Sequence, residues 1–295
     1  MSASDLAPII HTPHFETTRL SGTPGNGSYE VVIPHDDTSH RHHGGTFVLG
    51  VGGCMDMTAE YLKPVVVELS GMGVMAGRLK ERVARDAWHV GSLVSTAKVE
   101  AQHALNVHSA VRSIIDYCAP DVLVLYGHSL GGPKASQGIL QLLANGTADP
   151  VPDTLAVVEV HAPGRDGPYE GDFSAGNIAA TLGRELADVS AEKVSFGRVA
   201  LGKVKHAINP LTAASNAADV RYAAHVDNRE TIHELEGHGV YVCHVYGDHD
   251  NVVKMPGVLG EETVVMHAGH FGPFTHRHQY TTILASNTLT RIDAH

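Results

Sequence analysis

Val122-Leu123-Val124-Leu125-Tyr126-Gly127-His128-Ser129-Leu130-Gly131-Gly132 is the stretch from which the rest of the chain can be ordered. A short apolar run rich in β-branched residues stops in Gly-x-Ser-x-Gly, and a helix-compatible segment follows from Pro133 to Leu143. A strand that turns straight into a helix can hold one hydroxyl, that of Ser129, at its tip. Gly127 and Gly131 lack Cβ atoms where the two backbones crowd together. In a chain with 31 glycines the five-residue pattern alone has moderate weight. The strand before it and the helix after it make it specific.

Outward from this point, strands and helices alternate. Upstream, Phe15–Leu20 and Tyr29–Pro34 read as two strands joined by a turn-rich segment, an antiparallel start to a sheet. Thr46–Val51 is a buried-type strand running into Gly52-Gly53. Asp56 to Ser70 reads as a helix interrupted by Pro64, although Pro64–Val67 alone is compatible with a strand. Val74–Leu79 is a weaker strand, and Thr96 to Cys118 a long helix with a broad apolar face. Downstream come strand Thr154–Val160, a helix over Glu230–Glu236, strands Val240–Tyr246 and Val264–Met266, and a helix from about His276 to Ile292. Between them, about 161–228 holds Ala-containing helical pieces broken by Gly and Pro. The fold class is therefore α/β, a mostly parallel central sheet with helices on both faces. Residues 1–160 and 229–295 form the core. The helical stretch 161–228 is expected as a cap over the carboxyl edge of the strands, where such sheets bind ligands.

Composition narrows the function classes. Lys+Arg 21 against Asp+Glu 32 gives a net charge of −11 with no basic patch, which argues against nucleic acid and anionic membranes as partners. No apolar run reaches membrane-spanning length, and Met1 to Pro8 has no secretory-signal character, so a cytoplasmic protein is expected. Cys54, Cys118 and Cys243 lie far apart in mostly apolar surroundings and read as small buried hydrophobes. Of the 22 histidines, His35, His40, His42 and His43 match no ligand spacing and read as a solvated loop. Gly22–Gly27 lacks a phosphate-binding lysine, so a P-loop is rejected.

Two further motifs complete a pattern. Val240–Tyr246 ends in Gly247-Asp248-His249-Asp250, and Val264–Met266 ends in His267-Ala268-Gly269-His270-Phe271. With Gly127-His128-Ser129-Leu130-Gly131 they give the order Ser, Asp, His. The chain thus resembles the α/β-hydrolase superfamily over roughly residues 30 to 290. A serine hydroxyl becomes an effective nucleophile when an imidazole accepts its proton, and a carboxylate fixes that imidazole's tautomer. The assignment is Ser129 as nucleophile, His270 as base and Asp250 as the orienting acid. The resemblance's Gly-x-x-Asp spacing selects Asp250 over Asp248. His267 is the rival base, and Glu159 and Asp166 are weaker acids.

An oxyanion formed at the attacked carbonyl needs N–H donors. One is Leu130, after the nucleophile. The other comes from Gly53 or Cys54, although the His-Gly pair usual in the resembled family is here Val51-Gly52. His128 reads as packing behind the serine. His276 and His278 read as surface positions.

The resemblance implies a serine hydrolase cleaving an ester-like bond of a small to medium apolar molecule through an acyl-enzyme. The same triad also serves thioesters, lactones, carbon–carbon bonds or acyl transfer, and the scaffold occurs as a non-catalytic binding module. The small-molecule substrate is the implied partner, and no metal or organic cofactor is implied. Tyr169, Phe173, Phe196 and Tyr222 are possible cap linings.

Overall fold

The computed structural model describes residues 16–25, 27–35, 45–53, 62–83, 96–144, 150–165, 177, 180–181, 222–257, 259–260 and 262–289. Eight strands form one sheet: β1 (Glu16–Gly22), β2 (Gly27–His35), β3 (Thr46–Val51), β4 (Met75–Val83), β5 (Val122–His128), β6 (Thr154–Val160), β7 (Tyr241–Gly247) and β8 (Thr263–Met266), in the order β1-β2-β4-β3-β5-β6-β7-β8. β2 pairs antiparallel with both β1 and β4, while the pairs from β4 to β8 are all parallel. The expected antiparallel start and the parallel body are both present. Only β2 opposes the common direction.

Helices cover both faces of the sheet. On one face α2 (Thr96–Cys118), α3 (Gly131–Ala144) and α4 (Arg229–Gly237) bury Val107, Ile114, Ile139, Leu142, Ile232 and Leu235 against Leu49, Leu125 and Val157. On the other, α1 (Lys63–Gly71), α5 (Gly272–Thr275) and α6 (Arg277–Ile283) bury Val65, Leu69, Phe274 and Tyr280 against Val48, Val124, Val158 and Val245. Alternate residues of each central strand feed opposite layers, so β5 is apolar from Val122 to Tyr126. Each fully buried Leu or Ile contributes roughly 1.5–3 kcal/mol of apolar transfer.

Local signals explain the boundaries. Pro64 lies in the first turn of α1, where its missing N–H has no intrahelical partner to lose, and this favours helix over strand there. Ala119 leaves α2 in the left-handed region (φ 41°) and Pro120 follows it. The C-terminal helix departs from a single run starting near His276. Gly272-Pro273 opens the short α5, the backbone breaks at His276 (φ −127°), α6 follows, and Leu284–Leu289 is π-helical. Most of 161–228, where the helical pieces are expected, lies outside the described residues. Of the described residues there, Tyr222, Ala223 and Val226 pack with Val99, Leu130, Tyr246, Val252 and Val253 in a small apolar cluster.

Candidate active site

The geometry begins at the β5–α3 turn. Ser129 adopts φ 55°, an uncommon conformation for a residue with a Cβ. Its N–H donates to the Val160 carbonyl (2.8 Å) and its own carbonyl accepts from the Gly132 N–H (3.0 Å). A Cβ on Gly127 would lie 2.6 Å from the Gly132 Cα, and one on Gly131 would strike the Val51 carbonyl at the end of β3. Strand, helix and neighbouring strand therefore meet only because these two positions are glycine. The Ser129 side chain emerges in a buried setting, with the residue 3% exposed.

Sheet order brings distant residues to that point. β5, β6, β7 and β8 are consecutive neighbours, so the loops after them share one edge. The Ser129 hydroxyl lies 3.1 Å from His270 Nε2, and His270 Nδ1 lies 2.9 Å from Asp250 Oδ2. The carboxylate only accepts, so Nδ1 carries the proton and Nε2 presents its lone pair to the hydroxyl. Asp250 Oδ1 accepts the N–H groups of Val252 (2.7 Å) and Val253 (2.9 Å). Burial opposes the charge on Asp250. The adjacent His270 imidazole and the N–H of His161 outweigh it and hold the carboxyl far below the usual carboxylate range. The arrangement can take a proton from an attacking hydroxyl and stabilise the resulting imidazolium.

The rival residues are occupied elsewhere. Asp248 Oδ2 accepts from His267 Nδ1 at 3.0 Å, and His249 Nδ1 lies 3.4 Å from the other oxygen, all on the exposed rim. Rival acid and rival base thus pair with each other. Glu159 points to the α3 side of the sheet, where its Oε1 accepts from Ser136 (2.6 Å) and Asn228 (2.7 Å). Asp166 lies outside the described residues. Of the expected oxyanion donors, Leu130 is fully buried directly after Ser129. Gly53 is buried just past β3, whose end abuts Gly131, while Cys54 lies outside the described residues. Tyr222 is buried and stacks on His103, with ring centroids 6.3 Å apart; Tyr169, Phe173 and Phe196 lie outside the described residues. His278 is exposed and contacts Glu68 (2.6 Å), and His276 contacts Thr275 (2.9 Å). His35 is in β2, while His40, His42 and His43 lie outside the described residues. Cys118 and Cys243 are buried.

The sequence reading gives His128 only a packing role and leaves out two neighbours of the site, His161 and Tyr280. His128 does more than pack: its Nε2–H donates to the His270 carbonyl (2.6 Å), tying the Ser129 turn to the turn that carries His270. Burial first, then the His270 and His161 rings, hold its pKa well below the ordinary histidine value, so it is a neutral donor. His161, one residue past β6, places Nδ1 2.9 Å from the same Asp250 Oδ2 that faces His270, and its Nε2 lies 2.6 Å from the Tyr280 hydroxyl on α6. Their only advance signal was position: His161 follows its strand as Ser129 follows its own.

No family model matches the sequence, and no curated protein matches it. Solved structures do. Naproxen esterase (carboxylesterase NP) from Bacillus subtilis is 13% identical with a TM-score of 0.53, over 92% of this chain and 91% of that one. The 2-hydroxy-6-oxo-6-phenylhexa-2,4-dienoate hydrolase of a Rhodococcus strain is 11% identical with a TM-score of 0.58, over 92% and 98%. A laboratory-evolved potato epoxide hydrolase is 16% identical with a TM-score of 0.53, over 93% and 100%. At such identities the likeness speaks for architecture. The chain has the α/β-hydrolase fold.

Proposed function

We propose that the protein is a serine hydrolase that cleaves an ester-like bond of a small to medium apolar molecule through an acyl-enzyme. The observation that carries this reading is the 3.1 Å approach of the Ser129 hydroxyl to His270 Nε2, with Asp250 behind the ring at 2.9 Å. Ser129 Oγ attacks the carbonyl as its proton passes to His270. The oxyanion is received by the N–H of Leu130 and that of Gly53 or Cys54. His270 then gives its proton to the departing alcohol. In the second half, water attacks the acyl group as His270 takes its proton, and Ser129 leaves with that proton.

The substrate's apolar character is supported by the cluster of Leu130, Tyr222, Val226, Val252 and Val253 beside the serine. It also supports residues 161–228 as the cap, since the end of that stretch belongs to the same apolar cluster as Leu130. Such a cover would keep bulk water from the acyl group and set substrate size. Carboxylesterase NP acts as an esterase by its name, in keeping with the bond proposed.

Ser129→Ala is the direct test. Turnover of activated short-chain esters should fall by about 10⁴-fold or more, and a fluorophosphonate probe should label the wild-type protein at Ser129 alone. Full turnover in the variant would overturn the proposal.

A further inference from the structure

The acid of the site is shared by two histidines. Asp250 Oδ2 sits 2.9 Å from His270 Nδ1 and 2.9 Å from His161 Nδ1, so both nitrogens must be protonated donors to one oxygen. With Nδ1 protonated, the neutral His161 ring leaves Nε2 as acceptor, and the Tyr280 hydroxyl donates to it at 2.6 Å. Hydrogen bonds then run Ser129 to His270 to Asp250 from one side, and Tyr280 to His161 to Asp250 from the other. The chain is nearly symmetric about the carboxylate, and only one end carries a nucleophile.

Several independent features maintain the second arm. His161 holds φ 50°, so it is strained in the manner of Ser129, and its N–H is fixed by the Val245 carbonyl at 2.8 Å. A Cβ at position 247 would come within 2.6 Å of the His161 ring, and one at position 272 would strike the Tyr280 hydroxyl. Glycine at both positions makes room for the pair. His161 and Tyr280 are buried, at 0% and 1% exposure. Burial lowers the pKa of His161 against the pull of Asp250, which keeps this ring neutral beside the carboxylate. His128 is the other titratable side chain packed on both rings, centroids 5.8 Å from His161 and 5.0 Å from His270, and it too is neutral.

We propose that His161, oriented by the Tyr280 hydroxyl, is a positioning residue that weakens and directs the hold of Asp250 on His270. The proposal rests on the serine-hydrolase reading above. A carboxylate oxygen that accepts two N–H bonds gives less negative charge to each. Removing the His161 donor concentrates that charge on His270 and favours its imidazolium, so the base is lost to protonation at higher pH. It also leaves Oδ2 held by His270 alone, while Oδ1 stays pinned by Val252 and Val253. His161 reaches the reacting serine only through Asp250 and His270, so its loss acts on the chemical step rather than on binding.

The test compares steady-state pH profiles of wild type, His161→Phe, His161→Asn and Tyr280→Phe on one activated short-chain ester. His161→Phe should lower kcat about tenfold or more with KM within about twofold, and should move the acid limb of kcat/KM upward by about half a pH unit or more. His161→Asn keeps an amide N–H near the place of Nδ1 and should restore most of the limb's position, which a purely space-filling role would not do. Tyr280→Phe should lower kcat by less. A His161→Phe enzyme with unchanged kcat and an unmoved acid limb overturns the proposal. If that variant does not fold, unchanged kcat in Tyr280→Phe overturns it instead. Ser129→Ala runs alongside: turnover that survives it overturns the serine reading itself. An inert Ser129→Ala beside an unaltered His161→Phe overturns only the role of His161.

Discussion

Ser129 occupies a backbone conformation that its own side chain disfavours, at φ 55°. A non-glycine residue in that region costs on the order of 1 kcal/mol or more, tolerated because the position aims the hydroxyl at His270. Ser129→Gly should therefore raise the stability of the folded protein by about 1 kcal/mol, read as a higher urea midpoint, while abolishing turnover. A midpoint that falls would show that the turn is not strained at that residue. The same scale shows what sequence reveals and what it conceals. Ser129, Asp250 and His270 each sit in a local pattern of turn residues after an apolar run, so proximity along the chain exposes them. His161 also follows an apolar run and precedes Pro163-Gly164, but no motif marks it out among the 22 histidines. Its partners Asp250 and Tyr280 are 89 and 119 residues away, a relation that only the folded sheet creates.

Elements meet at Gly131 as tightly as anywhere in the protein. A Cβ there would strike the Val51 carbonyl, and backbone on both sides has no rotamer with which to yield. Gly131→Ala should cost about 1–3 kcal/mol in urea denaturation and should displace the segment after β3 that carries Gly53. A neutral substitution would mean that β3 and α3 slide apart freely. Most elements were legible because apolar runs end in Gly or Pro: β3 and β6 fall on the expected residues, and α2 spans the whole apolar-faced stretch from Thr96. β4 extends to Val83, past the expected Leu79. Lys80 and Glu81 interrupt its apolar run, yet the sheet accommodates both. Lys80 pairs with Glu30 on β2 at 3.0 Å, and Glu81 contacts His103 on α2 at 2.5 Å. Cross-strand and helix partners of this kind leave no trace in a one-dimensional pattern. The C-terminal helix reads as one piece from about His276 because the stretch to Ile292 lacks Gly and Pro. Gly272-Pro273 nucleates its own short turn first.

For the molecule as a whole, the sheet order does the assembling. Strand ends that are neighbours in space, β5 through β8, supply Ser129, His161, Asp250 and His270, although the chain spends more than a hundred residues between the first and last. The cores on either face that hold this edge in place also seal two thiols. Burial pushes the Cys118 thiol up to about 11, and its S–H donates to the Ile114 carbonyl at 3.3 Å. The sign follows directly: up to that pH the folded state keeps the sulfur protonated and poorly nucleophilic, whereas unfolding returns it to the ordinary range. Native protein exposed to iodoacetamide at pH 8 should gain no label at Cys118 or Cys243, and both should react once urea passes the unfolding midpoint, as site-resolved mass spectrometry would record. Rapid labelling at either site in the native state would mean that the cores open locally.

Tyr280 sits on α6, one short turn before the π-helical Leu284–Leu289. A final helix built of brief, differently wound pieces has few cooperative bonds to resist fraying. Through His161 its hydroxyl reaches the Asp250 carboxylate, so loosening at the tail of the described chain is felt at the strand ends that carry Ser129 and His270. Warming should abolish the proposed activity before the β-strands separate.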